Sequence, residues 1–321
     1  MSNSFRKNFI QGLAAAAGAG LAVLGVNKLL EKFRQDTDET IITLYERSRV
    51  YRTAVGPVEA AVFGEGPAVM VVHGAAGGYD QGSVKSEEFT GIQYISVSRP
   101  GYLRTPLSSG ESPEEQADAM AALMDELGIE KAAFIGTSTG GLISIYFALK
   151  YPERCWALVL LSSVNAPLYL QLNTLKGLSP LMKTDFLPWM LMHPETLLLM
   201  RPNLRKQVGH NPEKLDIIEQ LIKTAYPTSM RLSGMVNDAT QIENLKPIPL
   251  EDIHVPTLVI HGDADQVVPF SQGVESARRI PNAQFLPVLG GTHYCALTHL
   301  ELTRPAIMQF LERYAPEAII P

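Results

Sequence analysis

Cysteine is nearly absent: Cys155 and Cys295 are the two in 321 residues, and they stand far apart. With no CxxC pair and no Cys/His cluster, neither a disulfide framework nor a structural zinc site is expected, and two buried free thiols are the simpler reading. An excess of positive charge is missing too. Lys and Arg number 27 against 33 Asp and Glu, giving a net charge of −6 and a pI near 5.7. No basic surface for nucleic acid follows from such a balance. Beyond the N-terminus, internal repeats, low-complexity segments and long charge runs are also lacking. What is present suits a globular chain: 46% hydrophobic and 19% charged residues, enough for one large domain or one domain with a sizeable insertion.

Residues 1–35 stand apart from the rest. After Arg6 and Lys7, the stretch Phe9–Val26 holds Gln11 as its single polar side chain. Continued to Leu30 as a helix it would be roughly 30 Å long, the thickness of a bilayer core. An uncleaved membrane anchor is the expectation, which would place the protein and its partners at a membrane. A cleaved export signal is the alternative, since basic residues, an apolar stretch and the small residues Ala17-Gly18-Ala19 are its ingredients. A soluble Ala-rich helix is disfavoured by the glycines.

From about residue 50 apolar strands alternate with helices. Val58–Phe63, Ala68–His73, Gln93–Ser98, Ala132–Gly136, Trp156–Ser162, Thr257–Gly262 and Ala283–Val288 read as strands. Ser112-Pro113-Glu114-Glu115 opens a helix that runs to Leu127 and stops at Gly128, with a polar cap, Pro in the first turn and Gly past the end. Further helices are expected over Gly140–Lys150 and Thr303–Tyr314. Such alternation implies a mostly parallel sheet covered on both faces. Residues 165–249 break it: rich in Leu, Met and Pro, they show no convincing strand. Short helices at Leu168–Gly177, Thr196–Met200 and Pro212–Thr224 fit them better, as a helical lid. The expected organisation is therefore an N-terminal segment 1–35, a core of 36–164 and 250–321, and a lid of 165–249.

The chemistry centres on Gly136-Thr137-Ser138-Thr139-Gly140, which lies between a buried strand and a helix. A serine on so sharp a turn projects above the sheet, and the small residues beside it permit the turn. The free N–H groups of the new helix then face a reacting carbonyl oxygen. Two more motifs follow. His261-Gly262-Asp263-Ala264-Asp265-Gln266-Val267-Val268-Pro269 comes directly after one buried strand, and Gly290-Gly291-Thr292-His293-Tyr294 after the last. His299 is a rival to His293, though packing on the last helix suits it better. Asp263 is a rival to Asp265, because an aspartate just past a strand is often a turn residue. His73 and His261 each end a strand before Gly and read as structural histidines bonded to backbone. In the lid, Met182, Met190, Met192 and Met200 either line an acyl pocket or form the lid's own core.

The order Ser, Asp, His along the chain, with these motifs, resembles the α/β-hydrolase superfamily over residues 58–314, and within it the lid-bearing serine esterases. The resemblance implies an α/β fold: a mostly parallel central sheet flanked by helices, with a helical lid insertion. It implies Ser138 as nucleophile, His293 as base and Asp265, four residues before Pro269, as the acid. His73-Gly74-Ala75-Ala76-Gly77-Gly78 resembles the oxyanion loop, which suggests backbone N–H donors from Ala75 and Thr139, with Gly74 close to substrate. Arg99-Pro100-Gly101-Tyr102 resembles the loop after the next strand, with Ser98 where Asp is common and Leu103 where Gly is common. A carboxylic ester, lipophilic given the apolar lid, is the expected substrate, and no metal or organic cofactor is required. An amide, thioester, C–C bond or peracid reaction on the same triad remains open, as does a binding protein of this fold without turnover.

Overall fold

A computed structural model describes residues 3–86, 89–168, 183–192 and 209–316. The chain divides into two compact units, Met1–Tyr45 and Glu46–Pro321. The first is one helix, α1 (Asn3–Glu46). It overturns the expected membrane anchor: among the described residues no helix is long and apolar enough to cross a membrane. The apolar stretch is no separate segment, because the same uninterrupted helix carries Lys28, Glu31, Lys32, Arg34 and Asp36. Lys32 and Asp36 pair one turn apart at 3.2 Å, as on a solvated helix face. Much of the run's length is Ala and Gly, which favour insertion far less than Leu or Ile. The membrane location and membrane partner inferred from that run fall with it.

The second unit is built on an eight-stranded sheet in the order β1-β2-β4-β3-β5-β6-β7-β8. Its strands are β1 (Arg49–Thr53), β2 (Gly56–Phe63), β3 (Ala68–Val72), β4 (Gln93–Ser98), β5 (Ala132–Thr137), β6 (Cys155–Leu161), β7 (Thr257–Gly262) and β8 (Gln284–Val288). β2 runs antiparallel to β1 and β4, and every pair from β4 to β8 is parallel. β3, β6 and β7 are buried at every residue, which is why they read as unbroken apolar runs. On one face the core includes Met120, Leu123, Phe134 and Phe147; on the other it includes Val69, Trp156, Ile260 and Phe310. After the short helix α2 (Tyr79–Gly82), helix α3 (Pro113–Glu126) begins with a full capping box between Ser112 and Glu115. β3 has β4 on one side and β5 on the other, so the chain leaves these two neighbouring carboxyl ends in opposite directions. A crevice opens at such a point.

Between β6 and β7 the described residues form helices and no strand: α5 (Phe186–Met192), α6 (Pro212–Lys223) and α7 (Leu232–Glu243). The helix expected over Thr196–Met200, nearly all of that over Leu168–Gly177, and Met182 lie outside the described residues. Two buried arginines join this insertion to the sheet. Arg99, at the end of β4, has no exposed surface and forks onto Asp238 of α7, with Nη1 2.9 Å from Oδ1 and Nη2 2.5 Å from Oδ2. Arg231, just before α7, donates to Asp80 at 3.0 and 2.8 Å and to the Gly77 carbonyl at 2.7 Å. The two departures at the β4 loop also find their reasons here. Ser98 donates to Glu59 at 2.9 Å, so a carboxylate reaches this spot from β2 instead of from position 98. Leu103 takes a left-handed φ of 49°, held by its N–H on the Met230 carbonyl at 2.7 Å.

Because Asp238 is the carboxylate that faces the buried Arg99 guanidinium, Asp238→Ala should destabilise the fold by about 3–5 kcal/mol, the usual penalty for stranding a buried charge. Urea denaturation measures it; a loss below about 1 kcal/mol would mean the guanidinium finds water or another acceptor.

Candidate active site

The crevice at the ends of β3 and β5 is where the sequence motifs meet. Ser138 sits between β5 and helix α4 (Thr139–Lys150) with φ 54° and ψ −120°, a conformation that a side chain rarely adopts. Three backbone bonds hold it there: its N–H donates to Leu161 at 2.9 Å, and its carbonyl accepts from Gly141 at 3.0 Å and Val164 at 3.1 Å. The flanking glycines are required by close approach. A Cβ at Gly140 would fall on the Val72 and His73 carbonyl oxygens, and one at Gly136 would stand 2.6 Å from the Gly140 oxygen.

His293 and Asp265 come together from the loops after β8 and β7. Nδ1 of His293 donates to Asp265 Oδ2 at 2.8 Å. Asp265 Oδ1 accepts the N–H groups of Val267 at 2.8 Å and Val268 at 3.0 Å. Burial alone would raise the Asp265 pKa, but hydrogen bonds from His261 and His293 outweigh it and hold the carboxyl well below the usual carboxylate range. Asp263 does different work: its Oδ1 accepts the Gly290 N–H at 2.6 Å, tying the β7 loop to the β8 loop. His299 bonds Thr298 at 3.1 Å, and burial lowers its pKa.

The loop His73–Gly78, expected to carry an oxyanion donor, is fixed from behind. His73 accepts the Arg99 N–H on Nε2 at 3.0 Å, so its proton lies on Nδ1, which donates to the Gly74 carbonyl at 2.6 Å. Gly74 C=O and Ala75 N–H belong to one trans peptide and point opposite ways, so gripping the first aims the second. Burial and the Arg99 charge push the His73 pKa well below its ordinary value, which keeps this tautomer neutral. The Gly74 N–H donates to Gln81 Oε1 at 3.0 Å. On the facing turn, Arg99 Nη2 donates to Thr139 Oγ1 at 2.9 Å. With its Nε donating to the His73 carbonyl at 3.0 Å, the same guanidinium supports both turns that carry the expected donors, Ala75 and Thr139. Sequence reasoning placed Arg99 in a loop motif but gave it no role; its burial and its partners 40 and 139 residues away leave no local signal.

Ser138, His293, Gly74 and Ala75 border one cavity of about 220 Å³, whose apolar lining includes Val71, Ile135, Leu161, Leu297 and Ile307, with Leu221 contributed by α6. Met190 is not brought to it: that residue lies exposed on α5. Among the described residues no Lys or Arg lines this cavity. No group of His, Cys, Asp and Glu suited to a metal ion occurs among the described residues.

A family model described as the alpha/beta hydrolase fold matches residues 67–300. The chain belongs to the α/β-hydrolase family. Among relatives of this hydrolase, 2-hydroxymuconate semialdehyde hydrolase of Pseudomonas putida is 28% identical over 258 residues, covering 77% of this chain and 88% of the relative. A bifunctional esterase/perhydrolase of Acinetobacter calcoaceticus is 26% identical over 233 residues, covering 69% and 82%. Among solved structures, an alpha/beta hydrolase fold protein from Nakamurella multipartita superposes with a TM-score of 0.68 at 28% identity, covering 84% of this chain and 99% of that one.

The two carboxylates give separable outcomes. Asp265→Asn should lower kcat on the order of 10⁴-fold by favouring the wrong imidazole tautomer. Asp263→Asn, which weakens the tie to Gly290, should lower thermal stability and leave kcat within a few fold. Steady-state kinetics and thermal melts on both variants check this, and the reverse pattern would move the acid to Asp263.

Proposed function

We propose that this hydrolase cleaves a short-chain, uncharged carboxylic ester through an acyl-enzyme on Ser138. The observation that carries the reading is the joint placement of a serine on a strained strand-to-helix turn and a carboxylate-bound histidine around one apolar cavity. In this mechanism Ser138 attacks the acyl carbon while His293 takes its proton, and Asp265 holds the imidazole with Nε2 free to act. Ala75 and Thr139 N–H groups face the oxygen that becomes negative, an arrangement whose single donors are each worth about 2.7–4 kcal/mol in a comparable site. The alcohol leaves with the proton from His293, and water activated by the same base releases the acid. The insertion between β6 and β7 serves as the lid, a role supported by Leu221 in the cavity lining. A lipophilic substrate suits that lining, and the cavity falls below the about 300–1,000 Å³ usual for larger ligands. Acetyl to hexanoyl groups are therefore favoured over long acyl chains.

A second reading, cleavage of a C–C bond by the same three residues, is favoured by the Pseudomonas putida relative. 2-Hydroxymuconate semialdehyde contains no ester, so its hydrolysis breaks a carbon–carbon bond, and it carries a carboxylate. Against this reading, the described lining of the cavity offers that carboxylate no Lys or Arg.

A panel of p-nitrophenyl esters of graded acyl length, run beside 2-hydroxymuconate semialdehyde, separates the readings. Short esters should be turned over with the higher kcat/KM. Ser138→Ala should lose several orders of magnitude in kcat without unfolding, and adding His293→Ala should cost little more because the two act as a unit. Retention of more than a tenth of the activity in Ser138→Ala would overturn the nucleophile, and preference for the semialdehyde would overturn the ester.

A further inference from the structure

His261, next to last in β7, has no exposed surface, and it does more than bond to backbone. Its Nε2 lies 3.1 Å from the Val268 carbonyl and 3.2 Å from Asp265 Oδ2. A carbonyl oxygen can only accept, so the proton is on Nε2, and that one N–H is shared between the carbonyl and the carboxylate. Asp265 Oδ2 therefore takes donors from two histidines, His293 and His261. Nδ1 of His261 is buried without a hydrogen-bond partner. The ring is wedged in place: a Cβ added at Gly273 would stand 2.5 Å from Nδ1, and the Phe270 ring meets it edge-on at 5.9 Å between centroids.

We infer that His261 is a positioning residue that acts through Asp265 to set the basicity of His293. The inference rests on the triad reading above. A carboxylate oxygen that already accepts one N–H attracts a second donor less strongly, so His261 weakens the pull of Asp265 on the His293 imidazolium. His261 also stops the Asp265 carboxyl from turning away, since Oδ1 is held by Val267 and Val268 and Oδ2 by the two rings. His293 must be neutral to accept the serine proton, so activity falls as pH drops through its pKa. Removing the His261 donor should make His293 more basic and move that acidic limb to higher pH. The other ionisable groups nearby are Tyr294 and Cys295, both pushed up by burial, and His73, which is pushed down by burial. Asp263 is engaged by Gly290. The Tyr294, Cys295 and His73 shifts all lead away from neutral pH, so none of these three should blur the limb.

The direct test is the NMR titration of the His293 ring in the full chain, which needs no substrate. His261→Leu should raise the His293 midpoint by about 0.5–1 unit, as expected for the loss of one hydrogen bond to the charged partner. His261→Gln, whose side-chain amide can donate to Oδ2, should keep the midpoint close to that of the unaltered protein. The acidic limb of kcat/KM for p-nitrophenyl butyrate should move in parallel, with KM little changed. Equal shifts in both variants, or none in His261→Leu, would overturn the proposal. Should His261→Leu not fold, ¹⁵N spectra decide: a proton on Nδ1 of His261 sinks the proposal, as does an Nε2–H signal that stays put when Asp265→Asn removes the carboxylate, whereas a displaced Nε2–H signal in that variant supports the shared donor. Failure of the triad itself reads out separately, as activity surviving in Ser138→Ala.

Discussion

The turn at Ser138 is the constraint on which the rest of the site depends. A left-handed serine costs about 1–3 kcal/mol and persists only where its surroundings leave no alternative. Here the alternatives are closed by three backbone bonds and by the Val72 and His73 carbonyls lying where a Cβ at Gly140 would be. The same close crossing that forces glycine brings the end of β3 against the start of α4. The loop carrying Ala75 and the turn carrying Thr139 are thus neighbours because the chain crosses so tightly. Packing of the sheet, not the loops, sets their separation.

Tight crossing alone would not orient the peptide groups, and buried charge completes the task. Arg99 reaches the His73 carbonyl, Thr139, Gln116 and Asp238 from one fully enclosed guanidinium. An enclosed guanidinium is tolerable only because nearly every donor is used and a carboxylate stands opposite. That carboxylate comes from α7, inside the insertion. The core therefore cannot hold its charge in balance without the inserted helix, and core and insertion form one folding unit around the site. Arg231 repeats the arrangement nearby, clamping Asp80 and the Gly77 carbonyl of the His73–Gly78 loop.

The parts legible in the sequence are those governed by short-range pattern. β3, β6 and β7 announce themselves because both their faces are buried, and the capping box of α3 is written in four consecutive residues. β1 (Arg49–Thr53) escapes the pattern because it is an edge strand with Arg49, Val50 and Arg52 exposed. The N-terminal run misleads in the opposite sense: eighteen residues from Phe9 to Val26 contain one polar side chain, yet they belong to a helix that continues into charged sequence. Met190 shows a similar limit. Its chemistry suits an acyl pocket, but which face of α5 turns inward depends on tertiary placement. Arg99 was legible as a motif member and illegible as a participant, because its side-chain partners lie 17 to 139 residues away. His261 has its partners Asp265 and Val268 nearby in the chain, but that its ring meets them is decided by how the loop after β7 folds back.

The β7 loop shows how spacing becomes a division of labour. Asp263 and Asp265 are two residues apart and chemically alike, so composition cannot separate them. Asp263 lies at the strand's end, where its carboxylate reaches the Gly290 N–H and closes the β7 loop onto β8. Asp265 lies one turn further, where two successive N–H groups fix one oxygen and leave the other to the histidines. The first aspartate holds together the two loops whose separation decides whether the second can meet His293. The Asp263–Gly290 tie shares that task with the backbone bonds from Asp263 N–H to Val288 and from Ala264 N–H to Gly291, so a side chain away from the proposed triad carries part, though not all, of the site's precision.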